Sequence, residues 1–242
     1  MGTINILKEV RQELKANIEE KYRDNNQKYF KEKISCYGVR TPIVRKIAKK
    51  YFKKIRHLNK KEIFALSEKL FKNQYNEEAT IAIQWVNELS KQFKKSDFRT
   101  FERWLTEYID NWSKDDDFCL HIIHSMIEKY PDLVDKVKSW SRSKNMWLRR
   151  ASAVSFITTI ENFYVTRHNL KDIFEVAETL LHDKEDLVQK GYGWMLKSAS
   201  VHNQKEVFEF VMKHKSSMPR TALRYAIEKM PANLKKQAML KD

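Results

Sequence analysis

The chain has 242 residues, 42% of them apolar and 33% charged, and 47 Lys and Arg against 32 Asp and Glu leave it at +15. Four Gly and four Pro are too few for a sandwich or barrel with many tight turns, and no apolar run approaches 18 residues, so neither a membrane span nor a signal peptide is expected. The cation surplus points to a polyanion, nucleic acid before membrane, because there is no polybasic tail and Ile6 breaks the myristoylation pattern that Met1-Gly2 begins.

In chain order the apolar residues step at three and four. Ile4, Leu7, Val10, Leu14 and Ile18 predict a first helical face. A short helix is expected over Asn26 to Lys33, carrying Tyr29 and Phe30, and Gly38 marks a turn. Thr41-Pro42 predicts a cap with Pro at the first helical position, ahead of Ile43, Ile47, Ala48 and Tyr51. Asn59 is expected to cap the helix of Ile63, Leu66, Leu70 and Phe71. Ala79 to Leu89 forms another, and Ser96 is expected to cap the helix of Phe98, Phe101, Leu105 and Ile109. Phe118 to Ile127 follows, then Pro131 opens the helix of Val137 and Trp140, and Asn145 caps Trp147 to Val154. Helices from about Leu170 to His182 and Glu185 to Ser200 come next. Val207 to Val211 marks one more, and Pro219 and Pro231 open the last two. No stretch alternates at period two, so no sheet is expected. Helix pairs recur at roughly forty residues, the period of HEAT-like repeats. One continuous α-helical domain over 1–242 is therefore preferred to an irregular bundle.

The densest acid run is Asp110-Asn111-Trp112-Ser113-Lys114-Asp115-Asp116-Asp117. Trp112 and Asp116, four apart, would share a helix face and offer an indole beside a carboxylate, a pairing suited to a cation or to developing positive charge. A structural alternative is equally direct: Ser113 with Asp116 fits a capping box, and the acids would then oppose the helix dipole. Gly191 and Gly193 inside one helix imply close approach, either of a neighbouring helix or of a phosphate backbone. Arg149 and Arg150 stand at a helix start, where the dipole disfavours them. They call for an external anion or an acidic neighbour such as Asp115 or Asp117. Asp117, His121 and His124 share a face near Cys119, but no recognised ligand spacing accompanies them and no metal is expected. Cys36 and Cys119 form no disulfide framework, which suggests a reduced, cytoplasmic setting. Of six tryptophans, Trp85, Trp104 and Trp140 are assigned to the core. Trp112, Trp147 and Trp194 lie beside charged or glycine-containing clusters.

Five segments together resemble one family, the DNA alkylation repair proteins with HEAT-like repeats (AlkD-like DNA glycosylases). They are Gly38-Val39-Arg40-Thr41-Pro42, Asn111-Trp112-x-x-x-Asp116-Asp117-Phe118-Cys119, Trp147-Leu148-Arg149-Arg150-Ala151, Val188-Gln189-Lys190-Gly191-x-Gly193-Trp194 and Met218-Pro219-Arg220-Thr221-Ala222-Leu223-Arg224. The match runs in order over about residues 25 to 230. The resemblance implies an all-α, HEAT-like helical-repeat superhelix (an α-α solenoid), C-shaped, with a basic concave face around duplex DNA that carries alkylated bases. It implies hydrolysis of the N-glycosidic bond of N3- or N7-alkylated purines by a monomer without cofactor. By position, Asp116 would be the catalytic carboxylate and Trp112 and Trp194 the aromatic wall. Arg150 would face phosphate, with Arg149, Lys190, Arg220 and the cleft residue Tyr29 also on the DNA side. Many relatives carry Asp just after the first tryptophan, where this chain has Ser113. Two other readings are a non-catalytic DNA-structure binder on the same scaffold, which needs the cations but not Asp116, and a helical-repeat protein adaptor, which needs neither.

Overall fold

The structure is a computed structural model describing residues 3–160 and 163–240. Met1 and Gly2, and the side chain of Ile4 from the first predicted stripe, lie outside the described residues. The chain is built of helices and divides into two compact units, Met1–Ile122 and Ile123–Asp242.

The first unit contains α1 (Thr3–Ala16), α2 (Glu20–Gln27), α3 (Thr41–Ile55), α4 (Lys60–Phe71), α5 (Asn76–Asn87), α6 (Phe98–Tyr108) and α7 (Trp112–Phe118). The predicted stripes are the buried ones: Leu7, Val10 and Leu14 on α1, Val44, Ile47, Ala48, Tyr51 and Ile55 on α3. Ile18 falls beyond the end of α1 and is exposed. Helix α5 is apolar nearly all round, from Ala79 through Val86, so it must be covered on several sides. It lies against α3, α4 and α7, which makes α3, α5 and α7 one layer and α4 with α6 the other. The indole of Trp85 is fully buried and donates to the Ala48 carbonyl at 2.9 Å, locking α5 to α3. Phe64, Phe71, Phe93, Phe101, Trp104 and Phe118 form an aromatic cluster under α4, α6 and α7.

Two buried carboxylates at the start of α5 organise the chain before α3. Glu77 accepts the backbone N–H groups of Tyr37, Gly38 and Val39 at 2.8–3.1 Å. Glu78 accepts from Arg11, Asn73 and the Tyr37 hydroxyl. A buried charge is tolerable only when its lone pairs are filled in this way. Gly38 is required at the turn: its φ is +90°, and a Cβ there would stand 2.5 Å from Arg23 Cβ.

The second unit holds α8 (His124–Lys129), α9 (Val134–Ser139), α10 (Met146–Val154), a β1 (Thr158–Ile160) and β2 (Phe163–Val165) hairpin, α11 (Leu170–Leu180), α12 (Asp186–Ala199), α13 (Gln204–His214), α14 (Arg220–Ala226) and α15 (Ala232–Met239). Helix α12 is central and packs on α10, α11 and α14. Trp140 is buried here, as Trp85 and Trp104 are in the first unit, in agreement with their assignment to the core.

Several local expectations are corrected. The second helix runs over Glu20–Gln27 rather than 26–33, so Tyr29 and Phe30 lie in the turn after it. Thr41 is the first residue of α3 and Arg40 its N-cap. Ser96 lies in a 3-10 turn ahead of α6, and Asp97 reaches back to the Lys94 N–H at 2.7 Å instead. Asn59 and Asn145 do cap as expected, Asn59 with a full capping box through Glu62. The absence of any sheet does not hold: Thr158–Ile160 pairs antiparallel with Phe163–Val165. Those residues are β-branched or aromatic, which suits a strand pair, but three on each side are too few to show as alternation.

Candidate functional site

Helix α7 begins because Asn111 caps it. The Asn111 Oδ1 accepts the N–H groups of Ser113 at 3.1 Å and Lys114 at 3.2 Å. Ser113 is therefore inside the helix, and the Ser113 capping box is overturned. The register shift matters: Asp115 alone falls in the first turn, and Asp116 lies beyond it. At about 100° per residue the three acids then point three ways. Asp115 is fully buried. Asp117 faces the layer formed with α5 and α3: Thr80 bonds its carboxylate, and the Arg45 and His121 charges act on it. Burial pushes the Asp117 carboxyl up, Asp116 adds to that, and His121, Arg45 and Thr80 oppose it. Asp116 is partly exposed on the same helical face as Trp112.

The Trp112 indole is held from the loop after α2. It stacks on Phe30, with centroids 5.1 Å apart and planes 17° from parallel, and its Nε1 donates to the Tyr29 carbonyl at 3.3 Å. The Tyr29 side chain is 76% exposed, so Tyr29 is both a main-chain anchor for Trp112 and a free aromatic surface. Phe30 is a site residue that spacing alone did not single out. Lys114 steadies the other side of α7: nearly buried, it donates to the Gln74 carbonyl at 2.8 Å and pairs with Asp110 at 2.9 Å. Gln74 has φ 62°, a left-handed turn fixed by that bond. Burial lowers the Lys114 ammonium below its ordinary range.

After α7 the chain passes through a π-helical turn, Cys119–Ile123, a feature often found beside functional residues. The His121 Nδ1 lies 3.0 Å from the Asp117 carbonyl, and the His124 Nδ1 lies 3.2 Å from that of Ser155. Among the described residues no three His, Cys, Asp or Glu side chains gather as a metal set.

In the second unit, Asn145 caps α10 and brings Arg149 and Arg150 into its first turns. Arg149 bonds Asp183 through Nε at 2.5 Å and the carbonyls of Ser143 and Lys144 at 3.0 and 3.1 Å. Asp183, from the turn after α11, is thus an acidic neighbour of Arg149. Arg149 closes a turn of the protein. Arg150 is 5% exposed and donates to the Leu187 carbonyl. Gly191 makes that possible: a Cβ on it would meet Arg150 Cγ at 3.2 Å. Gly193 answers to a different neighbour, since its Cβ would stand 2.7 Å from Tyr225 Cβ and 2.9 Å from the Ala222 carbonyl. One glycine seats an arginine, and the other lets α14 approach α12.

Trp194 is half-buried and meets the exposed Tyr164 of the hairpin edge-on, centroids 4.9 Å apart. Lys190 pairs with Asp186 at 2.7 Å, one turn back on α12. Arg220 begins α14, exposed, with a bond to the Met239 carbonyl at 3.3 Å. Within the first unit, then, Tyr29, Trp112 and Asp116 come together. Within the second, Arg150 and Lys190 belong to one α10–α12 contact region, Trp194 takes its ring contact from the hairpin, and Arg220 stands apart at the end of α14. Trp112, Trp147 and Trp194, the three kept out of the core, are all half-buried.

The family model for DNA alkylation repair enzymes matches residues 10–230. A solved structure from Enterococcus faecalis, a predicted DNA alkylation repair enzyme, superposes with a TM-score of 0.78 over 89% of this chain and 98% of that one, at 16% identity. No curated protein matches the sequence.

Proposed function

Since this chain belongs to the DNA alkylation repair enzyme family, we propose that it is a monofunctional DNA glycosylase that removes N3- or N7-alkylated purines from duplex DNA. The observation that carries the reading is the face of α7: Asp116 is outside the capped first turn, partly exposed, and one turn from an indole braced by Phe30. A purine alkylated at N3 or N7 is cationic, so it departs as a neutral base and needs no general acid. What needs stabilising is the sugar, which becomes oxocarbenium-like as the bond to N9 breaks. The Asp116 carboxylate supplies fixed negative charge for that state and accepts the proton of the water that adds to C1′. The Trp112 face attracts cationic base and sugar at about 0.5–2 kcal/mol. Arg150, Lys190 and Arg220 hold phosphate, and Tyr29 adds aromatic surface. Arg149 acts through the turn it closes.

Asp116→Asn removes the charge and nearly preserves the shape. Single-turnover release of base should fall on the order of a hundredfold or more. Affinity for the same duplex should hold or rise, because a carboxylate near phosphates repels them in the ground state. Asp117→Asn is the register control and should lower release much less. Near-normal release by Asp116→Asn, or a large loss at Asp117 in its place, would falsify the assignment.

A further inference from the structure

Helix α3 carries two rows of cations that differ in one respect. Lys50 and Lys54 face α1 and are neutralised there, by Glu13 and Glu9, both at 2.6 Å, and both lie over the Tyr51 ring. Arg45, Lys49, Lys53 and, just past the helix end, Arg56 occupy i, i+4, i+8 and i+11, with Lys46 beside them. All five are exposed, and among the described residues no carboxylate pairs with Lys46, Lys49, Lys53 or Arg56. A solvated helix face normally interleaves both signs. This one keeps like charges one turn apart, an arrangement that destabilises an isolated helix. The row also has a direction. Arg45, at its start, acts on the Asp117 carboxylate of α7, next to Asp116. Helix α5 packs on both α3 and α7, and Arg45 places the start of the row beside the candidate site.

We infer that this row is a rail for one strand of the duplex backbone, leading from the lesion site along α3. Its cations are spaced at roughly 6 Å per step over about 16 Å, a length that spans several phosphates of a single strand. The inference rests on duplex DNA being the partner and deepens that reading. It assigns the contact to the unpaired row of one helix and denies it to the paired row.

The test compares two double variants of equal charge change on the same helix, Lys49→Gln/Lys53→Gln and Lys50→Gln/Lys54→Gln, binding an undamaged duplex across a salt series. Each phosphate contact contributes about −0.9 to the slope of log affinity against log salt. The first variant should flatten the slope by about 2, which reduces the affinity lost between about 50 and 200 mM salt by roughly tenfold. The second should leave it near wild type. Equal flattening by both variants, or none by the first, overturns the rail. An undamaged duplex contains no cleavable base, so this binding is read independently of catalysis: wild-type protein that binds it but releases no base from an alkylated duplex removes the glycosylase reading and leaves the rail standing. Wild-type protein that does not bind duplex DNA overturns both.

Discussion

Two glycines two residues apart on α12 serve different purposes. At Gly193 an added Cβ meets backbone and a Cβ of α14 below 3 Å, and neither can yield without moving a helix. Gly193→Ala should therefore lower stability by about 1–3 kcal/mol, read from denaturant midpoints, even though Ala favours the helix by about 1 kcal/mol. At Gly191 the neighbour is the flexible Arg150 side chain, at 3.2 Å. Gly191→Ala should leave stability within about 1 kcal/mol of wild type, since the helical gain offsets a small displacement. DNA binding should still weaken as Arg150 is displaced; a Gly191→Ala protein of unchanged affinity would count against an anchoring role for Arg150. At this scale the sequence revealed that something approaches α12 but not what, because one spacing serves a helix or an arginine equally. It marked Asp116 by motif. The cap was misplaced by two residues because Ser113 and Asn111 are both good N-caps; Asn111 is the one held from outside the helix, its Nδ2 donating to Asn76 Oδ1 at 2.9 Å.

Elements are fixed by a few bonds between them. Helices α4 and α6 are joined by Glu68, which Arg103 bonds at both carboxylate oxygens at 3.0 Å. Arg103, with Tyr108 and Trp104, draws the Glu68 carboxyl from its ordinary 4.5 down to about 2 despite burial. The folded-state pKa is depressed, so this stability is present above about 4.5 and is lost as pH falls toward about 2. Glu68→Gln should cost on the order of 1–2 kcal/mol at neutral pH after solvent screening, with the two proteins converging in acid. A constant difference down to strongly acid pH would refute this. For α7, Asn111→Ala should cost about 1 kcal/mol and reduce base release together with stability, because the same cap sets the direction of Asp116. The long helices were legible because their buried stripes repeat over three or more turns. The hairpin and the π turn were not: each spans little more than one period of its pattern, and tertiary packing decides it. Tyr29 and Phe30 read as helical from their apolar spacing, yet α2 ends at Gln27 and they turn toward α7 instead.

At the scale of the molecule, a +15 chain in the DNA alkylation repair enzyme family has its charge arranged rather than merely abundant. Many cations are matched internally, as Arg149 is by Asp183 and Lys50 by Glu13, while among the described residues Lys49, Lys53 and Arg56 of α3 and its end have no carboxylate partner. Helical class was readable from apolar periodicity, and the family from five motifs that follow in order over most of the chain. The division between paired and unpaired cations was not, since it depends on which helix each carboxylate faces. The central claim is that the protein breaks a glycosidic bond rather than only holding DNA. The direct measurement is single-turnover release of 7-methylguanine from methylated duplex DNA, with excess protein and with chelator present. The account predicts release of free base that leaves an abasic site, undiminished by chelator because a cationic leaving group needs no Lewis acid. Tight, salt-sensitive binding with no base released would contradict it.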